Sequence, residues 1–162
     1  MSSANKFKSH KQLKLIINNL KKQGKTIAFT NGCFDILHYG HVKYLQSSKE
    51  KADVLIVALN SDSSVRKIKG RARPINKQIN RIKVISALSC IDYVTIFNEE
   101  TPLEVIRLLK PDVLIKGGDW DKKDIVGGDF VETYGGKVVT IPYLKGYSTS
   151  KLISKIYAMN RR

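Results

Sequence analysis

Two histidines three residues apart, His38 and His41, flank Gly40 at the end of the segment Phe29-Thr30-Asn31-Gly32-Cys33-Phe34-Asp35-Ile36-Leu37-His38-Tyr39-Gly40-His41. An apolar strand that breaks at a glycine and delivers imidazoles to the start of a helix is suited to holding a phosphate. A helix N-terminus presents unpaired N–H groups and about half a positive charge, so it attracts anions without a dedicated side chain. A spacing of three on a helix puts both rings on one face, about one turn apart, while Gly40 leaves the backbone open to a bulky ligand. The competing readings are surface histidines and a zinc site. Zinc would need further ligands, and His10, Cys33, Cys90 and the scattered carboxylates lack metal-ligand spacing. No protein-bound metal is expected.

The elements that must position these residues follow from periodicity. Ser9-His10-Lys11-Gln12 has the form of a capping box, with Leu13, Ile16, Ile17 and Leu20 on one helical face and Gly24 ending the segment. This basic amphipathic helix, residues 1–24, precedes a main domain at 25–162. Five short runs rich in β-branched residues read as buried parallel strands: Thr26 to Thr30, Asp53 to Leu59, Tyr93 to Phe97, Asp112 to Ile115 and Lys137 to Ile141. Helical stretches at His41 to Lys51, Asn76 to Ser89 and Pro102 to Lys110 separate them, the last opened by a Thr101 to Glu104 capping box, and a final helix runs from Ser148 to about Met159. Alternating strands and helices predict right-handed crossovers and an α/β, Rossmann-like, doubly wound five-stranded parallel sheet. Ligands bind such sheets beyond the C-terminal strand ends, where the strand order reverses. The unusual residues fall there: Asn31 to His41 after the first strand, Lys116-Gly117-Gly118-Asp119-Trp120 after the fourth, and Gly146 to Ser150 after the fifth.

Composition bounds the rest. A chain of 162 residues, 42% of them hydrophobic, fits one domain of ordinary size. No apolar run approaches the roughly 18 residues that cross a bilayer, and Met1 to Lys14 lacks a signal-peptide core, so a cytoplasmic location and no membrane partner are expected. The two cysteines make no disulfide framework and are expected to be reduced. The net charge of +15 concentrates at Lys6 to Lys25, Arg66 to Lys83 and Lys151 to Arg162. It predicts attraction to polyanions, yet a lysine-rich solvated face has the same composition. The aromatic residues are dispersed and no RNA-binding signature appears, which disfavours a nucleic-acid partner.

Neither G-x-x-x-x-G-K-[ST] nor G-x-G-x-x-G is present, so the anion site is of another kind. The H-x-G-H pattern after a first strand, with Ser148-Thr149-Ser150 at a late helix start, resembles the nucleotidyltransferase superfamily named for its HIGH-type motif. Thr30 to His41, Asn60 to Ser64, Lys69 to Asn76, Lys116 to Asp119 and Ser148 to Ser150 resemble the adenylyltransferase domain of ADP-heptose synthases, over about Lys25 to Ile156. That domain often follows a sugar kinase. This chain resembles the stand-alone form, whose kinase step would need another protein.

The resemblance implies transfer of AMP from ATP to a sugar 1-phosphate such as heptose 1-phosphate, with pyrophosphate released. Close alternatives are a cytidylyl- or guanylyltransferase acting on a related phosphate such as glycerol 3-phosphate. Such a displacement requires in-line positioning and charge cancellation, which helix dipoles, histidines, lysines and a nucleotide-borne Mg²⁺ supply. By resemblance, His38 and His41 hold the triphosphate with Gly40 between them, the backbone at Cys33 and Phe34 cradles it, and Asp35 shapes the loop. Lys69, Arg71, Arg73 and Arg81 lie on or after a loop that can close over the triphosphate, arginine's fork suiting phosphate. Lys116, Gly117 and Asp119 belong with the base, and Ser148, Thr149 and Ser150 with the β- or γ-phosphate. Thr30, Asn31 and Asp62 are candidates to face the sugar phosphate or simply to turn the chain. Trp120 is left outside the site. Relatives of this kind are often homodimers.

Overall fold

The computed structural model describes residues 6–118 and 120–159. The sequence-based expectation for Asp119 therefore lies outside the described residues. The elements run α1 (His10–Lys22), β1 (Ile27–Gly32), α2 (Tyr39–Lys49), β2 (Val54–Asn60), α3 (Asp62–Lys69), α4 (Gln78–Ser86), β3 (Tyr93–Phe97), α5 (Leu103–Leu109), β4 (Val113–Gly117), α6 (Gly128–Glu132), β5 (Lys137–Ile141) and α7 (Thr149–Met159), with one 3₁₀ turn at Lys122–Asp124.

Near-continuous apolar runs make β1 and β2 buried on both faces, as parallel strands covered by crossover helices must be. All pairings are parallel and the order is β3-β2-β1-β4-β5. The order reverses between β1 and β4, so the crevice of a doubly wound sheet opens there. Alternation along β1 divides the core: Ile27 and Phe29 join Leu13 and Ile17 of α1 and Val105, Ile106 and Leu109 of α5 on one face. Ala28 faces the other way, with Leu45 of α2 and Ile82 and Ile85 of α4. α1 thus belongs to the same core as the sheet. Its capping box is formed, Ser9 Oγ accepting from the Gln12 amide at 3.3 Å and Gln12 Oε1 from the Ser9 amide at 2.9 Å.

Several expectations need correction. α2 starts at Tyr39, two residues before the sequence-based start, so that His38 is its N-cap. The Thr101 capping box is not formed: Pro102 itself occupies the N-cap, without a side-chain cap bond. The helix expected over 76–89 is confined to Gln78–Ser86, because Asn76 is held by Asp35 and the chain turns after Ala87. A helix over Asp62–Lys69 was not anticipated; Ser61 caps it, accepting from the Ser64 amide at 3.2 Å. α7 matches its expected span but contains no buried residue.

Candidate active site

β1 delivers the chain to the crevice and then turns sharply. Phe34 sits at φ +44°, a left-handed conformation costly for a bulky residue and common where a binding loop is held in one shape. Its ring lies over Gly32, where a Cβ would come within 2.8 Å of Phe34 Cε2, and meets His41 edge-on at 5.4 Å. The aromatic ring thereby supports the histidine from beneath.

His38 and His41 are stacked, with ring centroids 3.8 Å apart and planes inclined by 18°. The His38 amide donates to His41 Nδ1 at 3.3 Å. With Nδ1 accepting, the proton of neutral His41 resides on Nε2, free to donate to a ligand. Burial pulls both imidazoles below their ordinary range, His41 to about 4 with the His38 charge adding to the effect. Neutral rings can stack this closely where two imidazolium ions would repel. At neutral pH the pair is therefore uncharged and offers N–H donors. His38 Nδ1 is buried without a hydrogen-bond partner among the described residues, a rare condition for a buried polar atom.

Two buried arginine–aspartate pairs lock the surrounding loops. Asp35 accepts from Arg73 Nε at 2.7 Å and from the amides of Ile75 at 2.9 Å and Asn76 at 2.7 Å, while Asn76 Nδ2 donates to the Asp35 carbonyl at 2.6 Å. Burial opposes ionisation of Asp35, but these donors overcome it and hold its carboxyl below the usual range. Asp35 thus shapes the loop and ties it to Arg73. Arg81, 2% exposed, donates to the Asn76 carbonyl at 3.0 Å, the Cys33 carbonyl at 2.6 Å and Asp62 Oδ1 at 2.8 Å. All three guanidinium nitrogens serve the protein itself, so Arg81 braces the turn at Cys33 from behind. Lys69 and Arg71 stand exposed on the same segment.

Across the crevice, Lys116 Nζ of β4 donates to Asn31 Oδ1 at 3.1 Å, joining the two strands of the switch point. Burial lowers its pKa, countered by the Cys33 charge. Thr30 is fully buried, its hydroxyl 2.6 Å from Tyr44 Oη, so it supports the floor from the α2 face. Desolvation pushes the Tyr44 phenol up to about 12, keeping it a neutral hydrogen-bonding partner. Thr149 Oγ1 donates to the Ile36 carbonyl at 3.4 Å, bringing the start of α7 to the histidine loop. Ser148 Oγ accepts from the Lys151 amide at 3.5 Å, and Ser150 is exposed.

The glycines are filled from within the chain. A Cβ on Gly40 would lie 2.9 Å from Tyr147 Cβ and 3.2 Å from His38 Nδ1, and one on Gly118, at φ +110°, would lie 2.6 Å from Tyr143 Cε2. Tyr147 lies within the Gly146 to Ser150 loop singled out in the sequence, whereas Tyr143, just before it in the β5–α7 connection, has no sequence signal beyond a bulky aromatic residue near the Ser-Thr-Ser motif. Trp120 is 49% exposed, not packed under the following helix. Among the described residues no group of three or more His, Cys, Asp or Glu could hold a metal ion, and no helix is long and apolar enough to cross a membrane.

Comparison with known proteins agrees with this geometry. The cytidylyltransferase-like family profile matches residues 29–155. The bifunctional protein HldE of Geobacter metallireducens is 52% identical over 151 residues, 93% of this chain and 31% of the relative. HldE of Syntrophotalea carbinolica is 48% identical over 151 residues, with the same coverage. The chain thus spans about a third of the length of the curated relatives it matches. The crystal structure of the lipopolysaccharide core biosynthesis protein from Thermoplasma volcanium superposes with TM-score 0.63 at 30% identity, covering 77% of this chain and 100% of that one. The pantoate-β-alanine ligase of Francisella tularensis, at 20% identity and TM-score 0.62, shares the fold over 96% of this chain and 79% of its own. With its histidine cap at the switch point and a profile match spanning most of its length, the chain belongs to the cytidylyltransferase-like family of nucleotidyltransferases.

Proposed function

We propose that the protein transfers AMP from ATP to a sugar 1-phosphate, a heptose 1-phosphate, releasing pyrophosphate and forming an ADP-sugar that serves lipopolysaccharide core assembly. The observation that carries this reading is the stacked, neutral His38–His41 pair at the N-terminus of α2, in the crevice between β1 and β4. The Nε2–H donor of His41 and the dipole of α2 together suit an anion. Heptose as the sugar is supported by the resemblance of residues 30–41, 60–64, 69–76, 116–119 and 148–150 to the adenylyltransferase domain of ADP-heptose synthases.

In the proposed reaction a sugar phosphate oxygen attacks the α-phosphorus of ATP in line, and the bond to the β-phosphate bridging oxygen breaks. His38 and His41 hold the triphosphate and donate to the oxygens on which charge grows, and Lys116 adds positive charge from β4. Arg73, anchored through Asp35, and the exposed Lys69 and Arg71 cover the phosphates, while Thr149 steadies the far side. Mg²⁺ enters with the nucleotide's phosphates. Among the described residues, the Asp35 and Asp62 carboxylates are paired with Arg73 and Arg81. A homodimer and a cytoplasmic setting complete the proposal.

The test mixes protein, Mg²⁺, each of ATP, CTP and GTP, and a panel of sugar 1-phosphates with glycerol 3-phosphate, and follows pyrophosphate. Release with ATP and a heptose 1-phosphate is expected. Release only with CTP and glycerol 3-phosphate would move the assignment to the cytidylyl branch, and none with any pair would overturn it.

A further inference from the structure

We infer that Tyr143 is a preformed stacking platform for the nucleotide base. The inference rests on the phosphate site proposed above, because the loop that joins β5 to α7 packs against the histidine cap, Tyr147 lying 6.1 Å from His38 between ring centroids. That loop touches the crevice at two points. Tyr147 seats its Cβ against Gly40, between the two histidines, and its ring meets Tyr39 at 5.5 Å. Four residues earlier, Tyr143 lays its ring over Gly117 and Gly118, where added Cβ atoms would fall 3.2 Å from Cε1 and 2.6 Å from Cε2. Only a residue without a side chain lets the ring descend so far onto the end of β4.

The ring is nevertheless 69% exposed. Its Cε1 and Cε2 atoms lie against Gly117 and Gly118, with Tyr44 alongside at Gly117, while most of the residue is in water. An aromatic ring fixed from behind and bare in front is costly to leave in water and has the shape and π-face that a flat heterocycle covers. Because its rear contacts already restrain the ring, little further ordering is required when a base arrives. Stacking tolerates any base and favours the larger purine, so Tyr143 contributes affinity and a bias toward a purine nucleotide.

The experiment measures binding of ATP, CTP and inorganic tripolyphosphate to the full chain, by calorimetry, for the wild type, Tyr143→Phe and Tyr143→Ala. Tyr143→Ala is expected to weaken ATP about tenfold, the factor appropriate to one lost base–aromatic stack, to weaken CTP less, and to leave tripolyphosphate unchanged. Tyr143→Phe keeps the ring and is expected to bind all three as the wild type does. Unchanged or tighter ATP binding by Tyr143→Ala would overturn the inference, the ring then being a bystander or an obstruction. Equal weakening of ATP and tripolyphosphate would also overturn it, assigning the loop to the phosphates. A wild type that binds neither ATP nor tripolyphosphate would defeat the phosphate-site reading and this inference together.

Discussion

The floor and the roof of the crevice are built by opposite means. The floor, residues 30–41 with the 73–81 segment behind it, is held by buried charge: Asp35 with Arg73 and two amides, and Arg81 with Asp62 and two carbonyls. The roof, residues 142–149, rests on tyrosine carbons touching glycines and on one long hydroxyl contact from Thr149. Buried ion pairs tolerate little displacement, because moving one partner leaves an uncompensated charge. Contacts of rings with glycine carry no charge, so losing one leaves no buried ion unpaired. The difference indicates a floor held by charge pairing and a roof held by close packing of rings on glycine.

The sharpest way to break this comparison is Asp35→Ala, which strands Arg73 and two amides inside the loop. A loss of about 3 kcal/mol in urea unfolding is expected, with pyrophosphate release falling alongside. His41→Ala removes a donor but no ion pair. Its rate of pyrophosphate release should fall about a hundredfold while the thermal midpoint stays close to that of the wild type, separating chemistry from scaffold.

Acid gives an intermediate test. In the folded protein His41 titrates near 4, below its unfolded value of 6.5, so the unfolded chain binds the proton first as pH falls. Stability contributed by neutral His41 is complete above about 6.5 and declines between there and about 4. His41→Gln should flatten that part of the stability–pH profile, by about 1 to 2 kcal/mol, measured as denaturation midpoints across the window. The smallest effect is expected at the roof. Thr149→Ala should cost about half a kcal/mol or less, seen as little change in stability and a two- to threefold rise, roughly, in KM for ATP. A Thr149 effect exceeding that of Asp35 would invert the comparison between floor and roof.

The elements most legible beforehand were those whose signals are local. β3 and β5 have the anticipated spans because β-branched runs bounded by turns leave few alternatives. The Ser9 capping box forms because its donors and acceptors lie within one turn. Less legible was α3, where a serine-rich, basic stretch has few apolar residues to show helical periodicity and the Ser61 cap supplies the start. The Thr101 box failed although its letters were right, since the proline took the cap position itself.

The division is clearest at the site. Sequence alone determined that a glycine-broken strand would carry two histidines to a helix start beyond the C-terminal end of a parallel strand, because strand periodicity, glycine and the i, i+3 spacing are properties of adjacent residues. Tertiary structure alone decided which charged groups are tied up within the protein. Arg73 and Arg81 look alike in the chain, yet Arg81 is consumed by Cys33, Asn76 and Asp62, partners as far as 48 residues away. Tyr143 acquires its place only because β4 ends in two glycines beside it. A side chain's role depends on the partners that bury and neutralise it, and those partners become neighbours only when the sheet has closed.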